Sequence, residues 1–318
     1  MRGAQQTASR ESRNNIALHA FVRQGVFPFW APRSKPRDMV KAALLPSRSG
    51  VRISGLDAAS FLQGLLTQDV PGPGEARFAA LLTPQGKILF DFFIIENDGA
   101  FFLDVAGDAA DALVRRLSMY RLRAKVAVER LEDWAAASIF EDDGAPVASA
   151  GLIYADPRLA GLGRRVLGSR EALASLALEG DENGYNARRI ALGVPEFGKD
   201  FAADEVFLLD VNYDVLRGVS YKKGCFVGQE VTSRMKRKGE IRKRSLLLSF
   251  NGPPPEKGAE VTAGETALGE VMSGVDGKAL AIIRLDRLES SREKSAEIES
   301  GGRPARIVFP AYLEQSKT

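Results

Sequence analysis

Beyond Arg244 the chain stops offering helix-length segments and presents only short apolar runs, cut by Gly252-Pro253-Pro254-Pro255, Gly258 and Gly277. The runs at 245–250, 268–275, 279–285 and 305–309 are strand-sized, and the glycines and prolines between them prevent fusion into longer helices. A series of this kind closes into a small barrel, because closure removes exposed sheet edges. Residues 245–318 are therefore expected to form a C-terminal β-barrel domain.

Residues 39–244 have mixed character. Asp57 is placed to cap a helix over 58–66, with Phe61, Leu62, Leu65 and Leu66 on one face. After the Pro71-Gly72-Pro73-Gly74 break, the alternation of Ala76, Phe78, Ala80 and Leu82 predicts a strand. Thr83-Pro84-Gln85-Gly86 reads as a tight turn and 88–95 as the returning strand. Asn97-Asp98-Gly99 turns into a third strand, 100–105, followed by a helix over 108–122 and a strand over 125–131. Antiparallel strands under one helix make an α+β layer. Residues 141–150 are turn-like, helices are expected at 170–178 and 182–192, and 200–209 is irregular. There is no internal repeat.

Composition excludes several chemistries. Cys225 is the single cysteine and His19 the single histidine, so an intramolecular disulfide is impossible. A histidine-based triad and a self-sufficient zinc site are not expected either. No stretch approaches the roughly 20 apolar residues of a membrane-spanning helix, and no membrane partner is expected. The net charge of +3 does not by itself imply nucleic-acid binding. Residues 1–38 carry Arg2, Arg10, Arg13, Arg23, Arg33, Lys35 and Arg37 against Glu11 and Asp38. They read either as a disordered tail or mis-assigned start ahead of Met39, or as an organelle presequence.

Chemistry concentrates in 218–244. Gly224 and Gly228 permit a sharp backbone course or close approach to a ligand. Cys225 follows Lys222 and Lys223, whose charge favours a thiolate. Gln229 and Glu230 pair an amide with an acid at an expected helix start. Downstream, Arg234, Lys236, Arg237, Lys238, Arg242, Lys243 and Arg244 form a basic run suited to an anionic partner, with Lys236, Arg237 and Lys238 as the contact residues. Each feature has a plainer alternative: a buried apolar cysteine, turn glycines, a capping glutamate, a solvated basic face. Arg189 is a candidate carboxylate clamp or an ordinary helix-surface residue.

Lys223-Gly224-Cys225-Phe226-Val227-Gly228-Gln229-Glu230 resembles the signature of the YgfZ family of folate-binding iron–sulfur maturation factors, relatives of the T-protein of the glycine cleavage system. The likeness extends to Val51-Arg52-Ile53-Ser54-Gly55 through Phe61-Leu62-Gln63-Gly64-Leu65-Leu66-Thr67-Gln68-Asp69, similar to the family's opening helix, and to 77–91, similar to its hairpin. Arg189-Ile190-Ala191-Leu192-Gly193-Val194-Pro195-Glu196 resembles the helix end before the signature.

The resemblance implies a T-protein-like multi-domain ring around a central channel. Two intertwined α+β subdomains would fill 39–244, with the small barrel at the C-terminus. It implies tetrahydrofolate or a related folate as ligand, held by Lys223, Gly224, Gly228, Gln229, Glu230 and Arg189. It also implies a functional thiol at Cys225, able to ligate an iron–sulfur cluster transiently with partner ligands. The expected role is assembly or maintenance of [4Fe–4S] clusters, indirectly supporting tRNA modification. Expected partners are iron–sulfur assembly proteins and client [4Fe–4S] proteins, with tRNA as a further candidate. The expected compartment is the bacterial cytoplasm, or the mitochondrial matrix if 1–38 is a presequence.

Two departures weigh against the alternative of a tetrahydrofolate-dependent aminomethyltransferase. The hairpin has Phe90-Asp91 where the T-protein has adjacent acids, leaving Asp91 as the candidate catalytic carboxylate. Ala191 stands where the T-protein places a pterin-binding glutamate. An RNA-binding accessory protein is the other alternative.

Overall fold

The structure is a computed structural model and describes residues 42–140, 150–176, 178–237 and 241–315. The readings of residues 1–38 and of Lys238, and most of the expected turn at 141–150, lie outside the described residues.

The expected hairpin and its neighbours form the first sheet. It is built from β2 (Arg48–Ser54), β3 (Ala76–Leu82), β4 (Ile88–Asn97), β5 (Ala100–Ala106) and β6 (Ala127–Leu131), in the order β3-β4-β5-β2-β6. β4 is buried over most of its length on both faces, and its sequence accordingly reads as a continuous apolar run. Helix α1 (Ala58–Leu65) follows β2, and α2 (Ala110–Tyr120) covers the sheet through Ala110, Leu113 and Leu117.

Asp57 does not cap α1 through its side chain. Its Oδ2 accepts the Lys125 amide at 2.7 Å instead, tying the start of α1 to the end of the α2 connection. Residues 51–54, grouped by resemblance with an opening helix, are strand. The helix expected over 108–122 ends at Tyr120, and Leu122 takes a left-handed φ of 45°.

A second sheet, not expected from the sequence, has the order β1-β7-β9-β8: β1 (Ala42–Leu45), β7 (Trp134–Ile139), β8 (Leu152–Ala155) and β9 (Arg164–Ser169). β7 is alanine-rich, which hides a strand from propensity arguments. Its alanines 135–137 are buried against the neighbouring elements, where small side chains allow close packing. Two helices follow: α3, shortened to Arg170–Ala174, and α4 (Glu182–Ala191), capped by Asp181 and stopped by Gly193 at φ 76°.

The expected barrel is present and closed. Its strands are β10 (Lys243–Phe250), β11 (Glu260–Ala263), β12 (Thr266–Val275), β13 (Lys278–Arg284), β14 (Ile298–Ser300) and β15 (Arg303–Val308), in the order β10-β13-β12-β11-β14-β15. Pairing of β10 with β15 completes the closure. β11 and β14, of four and three residues, are too short to show alternation. A helix, α6 (Leu285–Glu293), fills the connection after β13, preceded in the chain by α5 (Gln229–Arg237).

Polar side chains join these parts. Asp104 on β5 accepts Arg48 Nε (2.6 Å) from its own sheet, and Arg165 Nε (2.9 Å) and the Tyr154 hydroxyl (2.7 Å) from the second sheet. Asn212 donates to the Ser245 carbonyl of β10 and to Tyr312 in the terminal helix α7 (Ala311–Gln315). The Tyr312 hydroxyl donates in turn to the Gly193 carbonyl at 2.6 Å.

Candidate functional site

The octapeptide 223–230 is a strap fixed at both ends. A helix C-terminus leaves its last carbonyls without intrahelical partners. At α1 the Lys223 ammonium fills that gap, donating to the carbonyls of Gln63 (2.9 Å), Leu66 (2.5 Å) and Gln68 (3.1 Å). Burial pushes its pKa down to about 8, against the attraction of Asp69. All three donors of the ammonium expected at a folate are in use inside the protein, and its charge serves the helix end.

The other end docks on the hairpin turn. Gly228 has φ 79°, and a Cβ there would stand 2.8 Å from the Thr83 carbonyl oxygen and 3.0 Å from the Gly86 Cα. Gly86 has φ 85° and its own Cβ would press on Val231. Gly228 thus permits backbone-to-backbone packing inside the protein, not approach of a ligand. Between the anchors Phe226 is buried, while Gly224 and Cys225 are exposed. A Cβ on Gly224 would meet open space, so that position needs no glycine for packing.

Gln229 and Glu230 open α5. Gln229 is half-buried, and Glu230 is exposed in the first turn, where a carboxylate suits the helix dipole. Arg234, Lys236 and Arg237 are exposed on the same helix, and Lys236 Nζ lies 3.6 Å from the centre of the Tyr221 ring. Arg244, the end of the basic run, is not part of that face: it pairs with Asp214 and bonds the Leu209 carbonyl.

A buried ionic network forms a second centre that the sequence reading did not identify as a unit. Arg158 pairs with Asp156 at 2.8 Å, and its guanidinium lies 4.7 Å from the Phe93 ring centre. The Tyr185 hydroxyl donates to Glu196 at 2.5 Å, and Arg165 also stacks on Phe93, at 4.5 Å. Burial alone would raise the pKa of Asp104 and Glu196, but the surrounding arginines overcome it and hold both at about 2.

Asp91 belongs to this interior. It is 2% exposed and accepts a hydrogen bond from the Tyr213 hydroxyl, so the candidate catalytic carboxylate is enclosed in the protein. Burial raises its pKa despite the pull of Arg48 and Tyr213. Four buried arginines (48, 158, 165, 189) face the acids Asp91, Asp104, Asp156, Glu196 and Asp200, and the raised pKa of Asp91 favours its neutral form in this company.

Arg189, expected at the ligand, is 1% exposed and bonds Asp200 (2.6 Å), the Val194 carbonyl and Asn186. The carboxylate it clamps is internal, and Ser273 of the barrel bonds the same Asp200. For the network the available signal was a lone charge inside an apolar strand, as for Asp104 in β5.

Two adjoining clefts open beside Asp108, Phe197 and Gly198. One, of about 350 Å³, is lined by Arg48, Arg130, Arg170, Glu196 and Lys199; the other, of about 680 Å³, by Phe90, Arg115, Arg116, Phe201 and Lys257. Cys225 lines neither. Among the described residues no group of three histidine, cysteine or acidic side chains is arranged to hold a metal ion. A metal centre bound through Cys225 finds no further donor set among the described residues.

The C-terminal β-barrel domain of CAF17 matches residues 242–315. Iron–sulfur cluster assembly factor IBA57, mitochondrial, of Homo sapiens is 33% identical over 282 residues, covering 77% of this chain and 78% of that protein. The mitochondrial IBA57 homolog of Pyricularia oryzae is 32% identical over 294 residues, covering 81% and 76%. The Neurospora crassa homolog is 33% identical over 239 residues, which span 67% of this chain but 54% of that longer protein. Among solved structures, glycine cleavage system aminomethyltransferase T from Bartonella henselae superposes with a TM-score of 0.68 at 19% identity, covering 87% of each chain. That likeness shows the fold, which is the expected T-protein type.

Proposed function

Because the chain belongs to the IBA57 family of iron–sulfur cluster assembly factors, we propose that it assists assembly or maintenance of [4Fe–4S] clusters by lending the Cys225 thiolate as one ligand to a cluster held mainly by a partner. The observation that carries this reading is an exposed thiol on a strap anchored at both ends, with no second donor set beside it among the described residues. Fixing the strap before the encounter lowers the entropy lost when the sulfur is captured. One thiolate cannot retain a cluster that ordinarily takes four protein ligands, so the cluster is cargo in transit. Binding through sulfur releases the thiol proton. The exposed cations of α5 follow the strap directly and suit an acidic face on the assembly protein.

Support of tRNA modification follows indirectly, through client [4Fe–4S] enzymes. The octapeptide's likeness to the YgfZ signature belongs to the same reading. The compartment we favour is mitochondrial, in keeping with the names of the relatives; a bacterial cytoplasm gains no support from them.

Tetrahydrofolate is proposed as an auxiliary ligand of the paired clefts rather than of the octapeptide, whose Lys223 and Gly228 are engaged internally. Phe90 and Phe197 line the clefts as apolar surface for a flat ring, and Arg115, Arg116 and Lys257 bring positive charge to a glutamate tail. When bound, reduced folate would supply a one-carbon carrier. The aminomethyltransferase reading is not favoured, since Asp91 is enclosed with Tyr213.

The role is tested in a strain lacking the protein. Activity of a [4Fe–4S] hydratase should return with the wild-type chain and stay low with Cys225→Ser at equal abundance. Full rescue by the serine variant would remove the thiol from the account.

A further inference from the structure

Two loops at one end of the first sheet present leucine to water. Leu56 is 87% exposed, Leu122 is 90% exposed, and Met119, at the end of α2, is 69% exposed. The loops are locked together: the Asp57 amide donates to the Lys125 carbonyl, and Asp57 Oδ2 accepts the Lys125 amide at 2.7 Å. A Cβ on Gly55 would run into the same Lys125 carbonyl, so the two backbones are in direct contact. The leucines are therefore carried on one rigid knuckle.

Leu122 occupies the left-handed region at φ 45°, which a leucine enters only under strain and which glycine adopts freely. Its side chain recovers nothing from packing in the free protein. Around Leu122 the charge is basic, while the knuckle's own acid, Asp57 beside Leu56, is taken up by the Lys125 amide. From Ala112 to Val128 there is no acid, while Arg115, Arg116, Arg121, Arg123 and Lys125 are present. The flanking acids are engaged elsewhere, Asp111 with Arg130 and Glu129 with Arg52.

We infer that this knuckle adsorbs to an anionic lipid surface, with Leu56 and Leu122 entering the interface and Arg121, Arg123 and Lys125 meeting headgroup phosphates. Single apolar side chains standing almost fully clear of the surface would each need a matching pit on a protein partner. A bilayer interface accepts them anywhere, and cations beside them add attraction to anionic lipid. The contact is adsorption: no helix of the described residues is long and apolar enough to cross a membrane.

The test is co-sedimentation of the full chain with vesicles of phosphatidylcholine containing about 30 mol% phosphatidylserine, against pure phosphatidylcholine, at low and high salt. The wild type should bind the anionic vesicles at low salt, and high salt or neutral lipid should weaken binding by roughly ten-fold or more. The Leu56→Ser, Leu122→Ser double variant and the Arg123→Glu, Lys125→Glu double variant should each show a similar loss while melting like the wild type. Leu122→Gly should bind vesicles less while melting at the same or a higher temperature. Absence of binding to anionic vesicles at low salt, or equal binding by the double-serine variant, overturns the inference. So does a double-serine variant that loses an assembly protein where vesicles never bound, which assigns the knuckle to a protein.

Discussion

Gly228 and Gly86 meet backbone to backbone: a Cβ added to Gly228 would stand 3.0 Å from the Gly86 Cα, and both residues hold positive φ. The strap that carries Cys225 is seated on the hairpin turn by this contact. Gly228→Ala adds a side chain where φ disfavours one and where the Thr83 carbonyl leaves no room. It should destabilise the fold by about 1–3 kcal/mol, read from thermal or denaturant unfolding, and weaken cluster-dependent function with Cys225 intact.

Lys223→Met keeps the length of the side chain but strips three carbonyls at the end of α1 of their donor. A loss of about 1–3 kcal/mol is expected in denaturant unfolding. An unchanged midpoint would mean that water replaces the ammonium without penalty. Lys222, exposed immediately before the strap, should tolerate the same change.

The interior network predicts the response to acid. Asp104 and Glu196 are held at about 2 in the folded chain, below their ordinary values. Their folded pKa values are depressed, so their contribution is present above the ordinary carboxylate range and is lost as pH falls toward 2. Melting temperature should fall steeply over that interval, with net proton uptake on unfolding. Asp104→Asn removes the carboxylate that Arg48 and Arg165 bond directly and should lose about 3–5 kcal/mol at neutral pH.

Asp91 has the opposite sign. Its pKa is raised by burial, so its favourable contribution belongs to the protonated form and is lost as pH rises through the raised value. Asp91→Asn is neutral, matches the shape and still accepts from Tyr213. It should melt at the same temperature as the wild type or higher at neutral pH. A clear drop in melting temperature would identify Asp91 as a charged anchor for Arg48.

The sequence made some parts legible and hid others for physical reasons. The hairpin 76–97 and four barrel strands announce themselves through apolar runs bounded by proline and glycine. β7 does not, because its alanines carry no strand preference and become intelligible only when packed. The octapeptide was visible as a motif, but the partners of its residues lie far off in the chain. Lys223 answers to carbonyls about 160 positions away, and Gly228 to the turn at Thr83. Arg189 reads as a carboxylate clamp for a ligand or as a helix-surface residue, since nothing local marks Asp200 as its counterion. Leu122 read as the last helical residue, and only its backbone angle reveals a displayed leucine.

The central claim is that Cys225 lends its sulfur to a cluster held mainly by another protein. Its most direct measurement is the visible absorbance of the full chain mixed anaerobically with a cluster-loaded iron–sulfur assembly protein and re-isolated as a complex, for wild type and Cys225→Ser. A complex in which the wild type alters and stabilises the cluster spectrum, while the equally folded serine variant leaves the partner's spectrum unchanged, is the predicted result. Identical spectra and identical cluster lifetimes from the two proteins would contradict it.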